Sequence, residues 1–546
     1  MTINGLSQAL IGMAITAWAT APGLAQPASS RITAEELGAR LRFFSSDGFE
    51  GRAPGTRGET LATSYLISEL TSFGVKPGMP DGTWRQSLTV LVHDADPESP
   101  NEAWVSGRVT RTLEHGRDIR LTNHGSDGAV ETGGELVFVG YGIDAPAYRW
   151  NDLDGLDLRG KVAVALLGEP APAGDTTLFN GQRASRYSWA RDRQEVMGRR
   201  GAVAVLWLRP AGTLSHSPVT GSRRLEAGAA RPGLMFAGNL TDSAFASLLP
   251  PGAGTLAAVL AAAGQPGFRS IPLGARLDVR FRTRPRRVVT HNVVGVVPGT
   301  VAGLRDEHVV LSAHWDAYGI VPPVAGDSIA NGAMDDGSGV TSLLALARVF
   351  SAAPEPRSLS FLFTTAEEWG LLGAEAFACR GPLPADRMVA NLNLDDGLEL
   401  FGKKRDVAPL GIELSSLGAT VATVARRHRL AVSVDPFPAE GFFLRADNFP
   451  FARIGVPALY LALGTDDVGR PRGWTDGRAR DYMDHHYHRP SDEYDRVVVD
   501  LAGVVQLAEF TQDVTSAVAR APARPTWNRG AEFSRASGLG DGNGCP

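Results

Sequence analysis

The chain has 546 residues, 43% of them hydrophobic and 21% charged, an ordinary globular composition with enough apolar side chains for more than one core. Its formal net charge is −5 and no basic run stands out, which gives a nucleic-acid-binding function no footing. The pairs Arg286-Arg287 and Arg426-Arg427 read as solvated faces, and no run after the leader reaches the ~20 apolar residues of a membrane helix, so stable membrane association is not expected.

In chain order, residues 9–20 are apolar and Gly23-Leu24-Ala25 offers small residues before a cut. Residues 1–25 therefore read as a signal peptide of an exported protein, periplasmic or secreted, although no Lys or Arg precedes the apolar stretch. Residues 26–87 form the first part of a main domain. Thr33-Ala34-Glu35-Glu36 is a capping box opening a helix towards Phe44. DGFEGRAPGTRG, residues 47–58, is Gly-rich and polar and reads as a loop. A second helix is expected over residues 59–73, with Ala62, Tyr65, Leu66 and Leu70 inward and Gly74 stopping it.

Over residues 88–284 the texture changes to short β-like runs, such as 135–141, 161–167 and 202–208, separated by Gly, Pro and Asp; this reads as a β-rich inserted domain. Residues 285–525 alternate strand, loop and helix. Strands are expected at 308–313, 358–364, 388–394 and 457–463, and helices at 338–350 and 411–428. The pattern implies an α/β fold, a mixed, mainly parallel sheet with helices on both faces. Residues 526–546 read as a flexible tail. Of the two cysteines, Cys545 lies in that Gly-rich tail, and Cys379 reads as a buried, inert thiol; export would permit a bridge between them.

Functional groups on such sheets collect beyond the carboxyl ends of the strands. Here those ends run into His314-Trp315-Asp316, Glu367-Glu368 and Asn393-Leu394-Asp395-Asp396. Asp335 lies in the Gly-rich run 332–339, and Tyr487-His488 comes much later. Taken singly, each carboxylate is an ordinary cap, turn or salt-bridge residue; Glu367-Glu368 is also a helix start, and His485, His486 and His488 a surface cluster. Jointly, imidazoles and carboxylates from separate segments suit zinc.

The order of these motifs resembles the zinc aminopeptidase and glutamate carboxypeptidase family, in the form that carries an inserted protease-associated domain. The resemblance extends to DGFEGRAPGTRG, to VFVGYGI in the insert and to EGFFLRADNFPFARIGVPALYL, and so covers nearly all of the mature chain. It implies two Zn2+ ions per chain: His314 and Asp395 on one, Glu368 and His488 on the other, Asp335 bridging them. It further implies that Glu367 is the general base, that Asp316 hydrogen-bonds His314 and fixes its tautomer, and that Tyr487 stabilises the oxyanion. Two such metals, about 3.5–4 Å apart, can share a water, lower its pKa and polarise a scissile carbonyl. A cis bond between Asp335 and Asp336 is implied as well, with Gly332, Gly337 and Gly339 giving the loop freedom. Two departures stand out: Ala446-Asp447-Asn448 replaces a common Ser-Asp-His, and Asp396 replaces an apolar residue. The expected function is peptide hydrolysis, as an aminopeptidase. The alternatives are a carboxypeptidase or dipeptidase, with Arg445 a candidate grip for a free carboxylate, and a metal-free receptor-like binding protein.

Overall fold

Four apolar runs become the strands His308–His314, Ser358–Thr364, Met388–Leu394 and Ala458–Leu461 of a computed structural model that describes residues 31–533 and 545, apart from 126, 171–177, 182, 214–221 and 227–232. The expected leader lies outside the described residues. Every residue of the last three strands is buried, as a parallel sheet covered on both faces requires. His308–His314 lies at the centre, parallel to Ser358–Thr364 on one side and to Met388–Leu394 on the other. Ala458–Leu461 pairs parallel with Met388–Leu394. Ser358–Thr364 pairs antiparallel with the end of a long strand, Ile271–Val297.

Alternating strand residues feed two cores. Val309 and Leu311 join one core with Leu41 of helix Ala34–Phe44, Leu66 of Arg57–Ser72, Leu343 of Ser338–Ala352 and Val504 of Ala502–Arg520. Val310 joins the other with Phe377 of Leu372–Arg380 and Phe451 of Asn448–Arg453. This is the expected mixed, mainly parallel sheet between helices.

Local chemistry sets most boundaries. The hydroxyl of Thr33 accepts from the Glu36 amide and opens the first helix as its capping box predicts. The helix expected at 411–428 begins only at Leu417, because residues 414–416 pair instead with the backbone of Thr526–Asn528. The tail is accordingly not free at its start. Trp527 and Phe533 pack into the second core, two aromatic anchors hidden in a Gly-rich composition. Cys379 is not an inert thiol, since it is bonded to Cys545.

The insert builds a second sheet, with Ala129–Phe138, Lys161–Ala165, Ala204–Arg209, Phe236–Thr241 and Ile119–Asn123 in that order. It has its own core and carries helices beside its strands, among them Ala190–Arg199 and Leu256–Ala263. The 27-residue strand Ile271–Val297 belongs to both sheets. Residues 275–280 pair with Glu102–Gly107 of the insert, and residues 283–293 pair with Arg85–Ala95 beside the main sheet. The expected boundaries at 88 and 284 thus fall inside the two strands of a continuous ribbon. Arg284, Arg286 and Arg287 on that ribbon pair with Asp96, Asp94 and Glu226, so the Arg286-Arg287 face is solvated and neutralised.

Candidate metal centre

The parallel register aligns the strand ends. His314 stands level with Thr364, and Ser312 with Asn393, so His314, the Glu367-Glu368 turn and Asp395 emerge side by side. Asp335 approaches from the loop before helix Ser338–Ala352, and His488 from the loop after Trp474–His485. The five residues expected as ligands come together. His314 Nε2 lies 3.0 Å from Asp335 Oδ1 and 3.6 Å from Asp395 Oδ1. His488 Nε2 lies 3.3 Å from Asp335 Oδ2 and 3.1 Å from Glu368 Oε2. Asp335 therefore turns one oxygen to each imidazole, and its bond to Asp336 is cis, as the resemblance implies.

Ligand-capable atoms of Asp335, Glu368 and His488 lie within 4.8 Å of one another, as do those of His314, Asp336 and Asp395. Asp336 is nonetheless committed elsewhere. Its Oδ2 accepts from the His314 amide at 3.0 Å and its Oδ1 from the Gly339 amide at 2.9 Å, which ties the helix start to the strand end. Gly339 is required by proximity: a Cβ there would stand 2.3 Å from Asp336 Oδ1 and 2.4 Å from the Leu394 carbonyl. Of the three glycines, only Gly332 takes a positive φ, 56°.

The electrostatics fit divalent cations. Against its own burial, hydrogen bonds from His314 and His488 hold Asp335 below the usual carboxylate range. Burial opposes a charge on His488, yet its bonds to Asp335 and Glu368 raise it to about 9. Burial, with the charges of Asp395 and Glu368, pushes Glu367 well above the ordinary range, against the pull of His314. Carboxylates outnumber imidazoles in a buried space, and two imidazole nitrogens among carboxylate oxygens form a donor set that suits zinc.

The roles around the ligands differ in part from expectation. His314 Nδ1 donates to the backbone carbonyl of Asp316 at 3.1 Å, whereas the Asp316 carboxylate stands 3.8 Å away. The tautomer is fixed by the peptide group, because the Asp316 side chain turns to accept the Glu367 amide at 3.2 Å. Burial pushes the Asp316 carboxyl up to about 8. Tyr318, missed in the sequence, takes the matching position on the other side: its hydroxyl accepts from His488 Nδ1 at 2.9 Å, and burial with the Glu368 charge raises its phenol. It lies four residues beyond His314 with no periodic or motif signal. Two departures also find a place. Asp396 accepts from the Leu463 amide at 3.1 Å and joins two strand ends. Asn448 donates to the Phe443 carbonyl at 2.8 Å.

Ala366, just before Glu367, and His488 hold φ of 52° and 60°. Left-handed backbone costs an L-residue about 1–2 kcal/mol, and it persists where the surroundings over-determine it, often at active sites. Glu367 lines a cavity of about 290 Å³ with Asp395, Asp396, Leu398, Phe401 and Tyr460. It also lines a cavity of about 610 Å³ whose other wall is Glu169, Ser188 and Trp189 of the insert. Tyr487 borders both cavities. Burial and the Asp335 charge raise its phenol, and its oxygen accepts from Arg445 Nη2 at 3.1 Å.

Residues 292–510 match peptidase family M28. Aminopeptidase YwaD of Bacillus subtilis (strain 168) is 33% identical over 192 residues, 35% of this chain and 36% of its own length. The alkaline phosphatase isozyme conversion protein of Escherichia coli (strain K12) is 26% identical over 224 residues, 37% of this chain and 64% of its own. The chain spans less than two thirds of the length of the curated relatives it matches. Among solved structures, the aminopeptidase from Aneurinibacillus sp. strain AM-1 has the same fold, with a TM-score of 0.52 at 19% identity over 90% of this chain and 95% of the other. The likeness to peptidase family M28 thus lies in residues 292–510, the part of the chain that carries all five ligand candidates.

Proposed function

We propose that the chain is an exported metallopeptidase that removes N-terminal residues from peptides, with two zinc ions held in one cleft. The observation that carries this reading is the double-sided Asp335 carboxylate, 3.0 Å from one imidazole and 3.3 Å from the other. When bound, such ions supply Lewis acidity to a carbonyl and lower the pKa of water. Glu367, at the junction of the two cavities, takes the proton of the attacking water and returns it to the leaving amine. Tyr487 accepts from Arg445 and keeps its own proton, which it donates to the developing oxyanion.

Three features favour an aminopeptidase. Acids line the smaller cavity beside apolar walls, a setting for a free ammonium and an apolar side chain. Arg445, the candidate grip for a free carboxylate, is engaged by Tyr487 and stands 3.5 Å from Glu440. The relatives named above include two aminopeptidases. Export is supported by the apolar leader and by the Cys379–Cys545 bond, which an oxidising compartment sustains.

The test is metal analysis of gently purified protein, followed by hydrolysis of aminoacyl amides, N-blocked peptides and C-blocked peptides. We expect two zinc ions per chain and cleavage that demands a free N-terminus. Cleavage of N-blocked peptides from a free C-terminus would convert the reading to a carboxypeptidase. Folded protein that holds no zinc would convert it to a binding protein.

A further inference from the structure

The segment DGFEGRAPGTRG has no part in the chemistry above, yet the first of its two arginines, Arg52, is fully buried against the backbone that leads to the ligand candidates. Arg52 Nε donates to the Trp315 carbonyl at 2.8 Å. Nη1 donates to the carbonyls of Phe44 at 3.1 Å and Asn331 at 2.6 Å, and Nη2 to that of Gly332 at 3.0 Å. Trp315 follows the ligand His314, and Asn331 and Gly332 precede the bridging Asp335. One guanidinium thus grips both segments that carry the first ligand and the bridge. Asp47, from the same segment, accepts from the Asn331 side chain at 2.9 Å. Gly332 permits the grip, since a Cβ there would stand 2.9 Å from Arg52 Nη2 and 2.4 Å from the Asp335 carbonyl.

The opposite edge of the loop is held by Asp492. Its carboxylate accepts from the amides of Met334 at 2.9 Å and Asp335 at 3.2 Å, and from the Tyr482 hydroxyl at 3.0 Å. Its carbonyl accepts from the Ala333 amide at 3.1 Å. The carbonyls of residues 331–332 and the amides of residues 334–335 are therefore fixed by the buried side chains of Arg52 and Asp492, and the Ala333 amide by the Asp492 carbonyl. Burying a guanidinium is costly, so a mere packing role is a poor use of one. A planar fork with five directed N–H groups, however, sets distances between backbone segments that a lysine or an apolar residue cannot set.

We infer that Arg52 is a positioning residue, which together with Asp492 fixes the spacing of His314 and Asp335 before any metal arrives. The inference rests on the two-zinc reading for its consequence and on hydrogen bonds alone for its geometry. It is tested on the full chain in two ways. In hydrogen exchange on metal-free wild type, we expect the amides of Ala333, Met334 and Asp335 to be protected already; free exchange that stops only on adding zinc would overturn the inference. The second comparison is Arg52→Lys and Arg52→Met against wild type. We expect about 10–100-fold weaker zinc binding by chelator competition, a fall in kcat with little change in KM, an altered Co(II) spectrum, and no rescue by lysine. Folded variants with wild-type zinc affinity and kcat would overturn it. Should the variants fail to fold, the exchange measurement decides alone. A wild type that binds no zinc sinks the functional reading instead and leaves the exchange result standing.

Discussion

On the sheet side of the cleft, His314, Glu368 and Asp395 leave the ends of neighbouring parallel strands, which place them side by side, and a backbone carbonyl orients His314. On the insert side, the wall of Glu169, Ser188 and Trp189 is held to the main domain by side chains. Trp189 stacks on Phe449 with ring centroids 4.1 Å apart, Arg191 pairs with the buried Glu375 at 2.8 Å, and Arg453 pairs with Asp192 at 3.3 Å. Backbone positioning over-determines the first side. Pairwise contacts hold the second, and each can be removed without disturbing the strands. On the proposed function, the chemistry belongs to the sheet side, and the insert supplies the opposite wall of the cleft.

This contrast can be broken at several strengths. The largest effect is expected from Glu367→Gln, which keeps the shape and loses the proton acceptor. Turnover should fall by about 10²–10⁴-fold with zinc content unchanged in metal analysis. Near-normal turnover at full zinc would remove Glu367 from the base role. Next comes Tyr318→Phe, which takes the hydrogen-bond partner from His488 Nδ1. Losing such a partner typically weakens a metal site about 10–100-fold, so chelator competition should find one of two zinc ions released more easily. Equal retention of both would mean that the loop backbone alone orients His488. The smallest effect is expected from Trp189→Ala. An aromatic stack is worth about 0.5–1.5 kcal/mol, so KM for peptides should rise about two- to tenfold, with a smaller change for aminoacyl amides and little in kcat. A loss of kcat approaching that of Glu367→Gln would erase the distinction between the two sides.

Candidate site residues were legible in the sequence where type and place coincide. His314, Glu367, Glu368 and Asp395 each follow an apolar run that becomes a buried strand, and such runs announce their own carboxyl ends. The double-sided geometry of Asp335 was legible only through the resemblance. Partners that act through the peptide group were not legible. The carbonyl of Asp316 that fixes His314 looks like any other carbonyl, and the eye is drawn to its carboxylate instead. Tyr318 reads as an ordinary aromatic, and the anchoring Trp527 and Phe533 are masked by their Gly-rich surroundings.

By itself, then, the sequence determined the fold class, the places along the chain of the strands that carry the site, and the residue types available for metal and proton, because hydrophobic periodicity and side-chain chemistry are local properties. The tertiary structure alone decided that Asp336, next to the acid that faces the imidazoles, ties a helix start to a strand end. It also decided that a ribbon rather than a loop joins insert and main sheet, that Cys379 meets Cys545, and that Arg52 grips carbonyls 263 to 280 residues away. Each of these depends on hydrogen bonds or pairings between segments far apart in the chain, whose geometry no local pattern encodes.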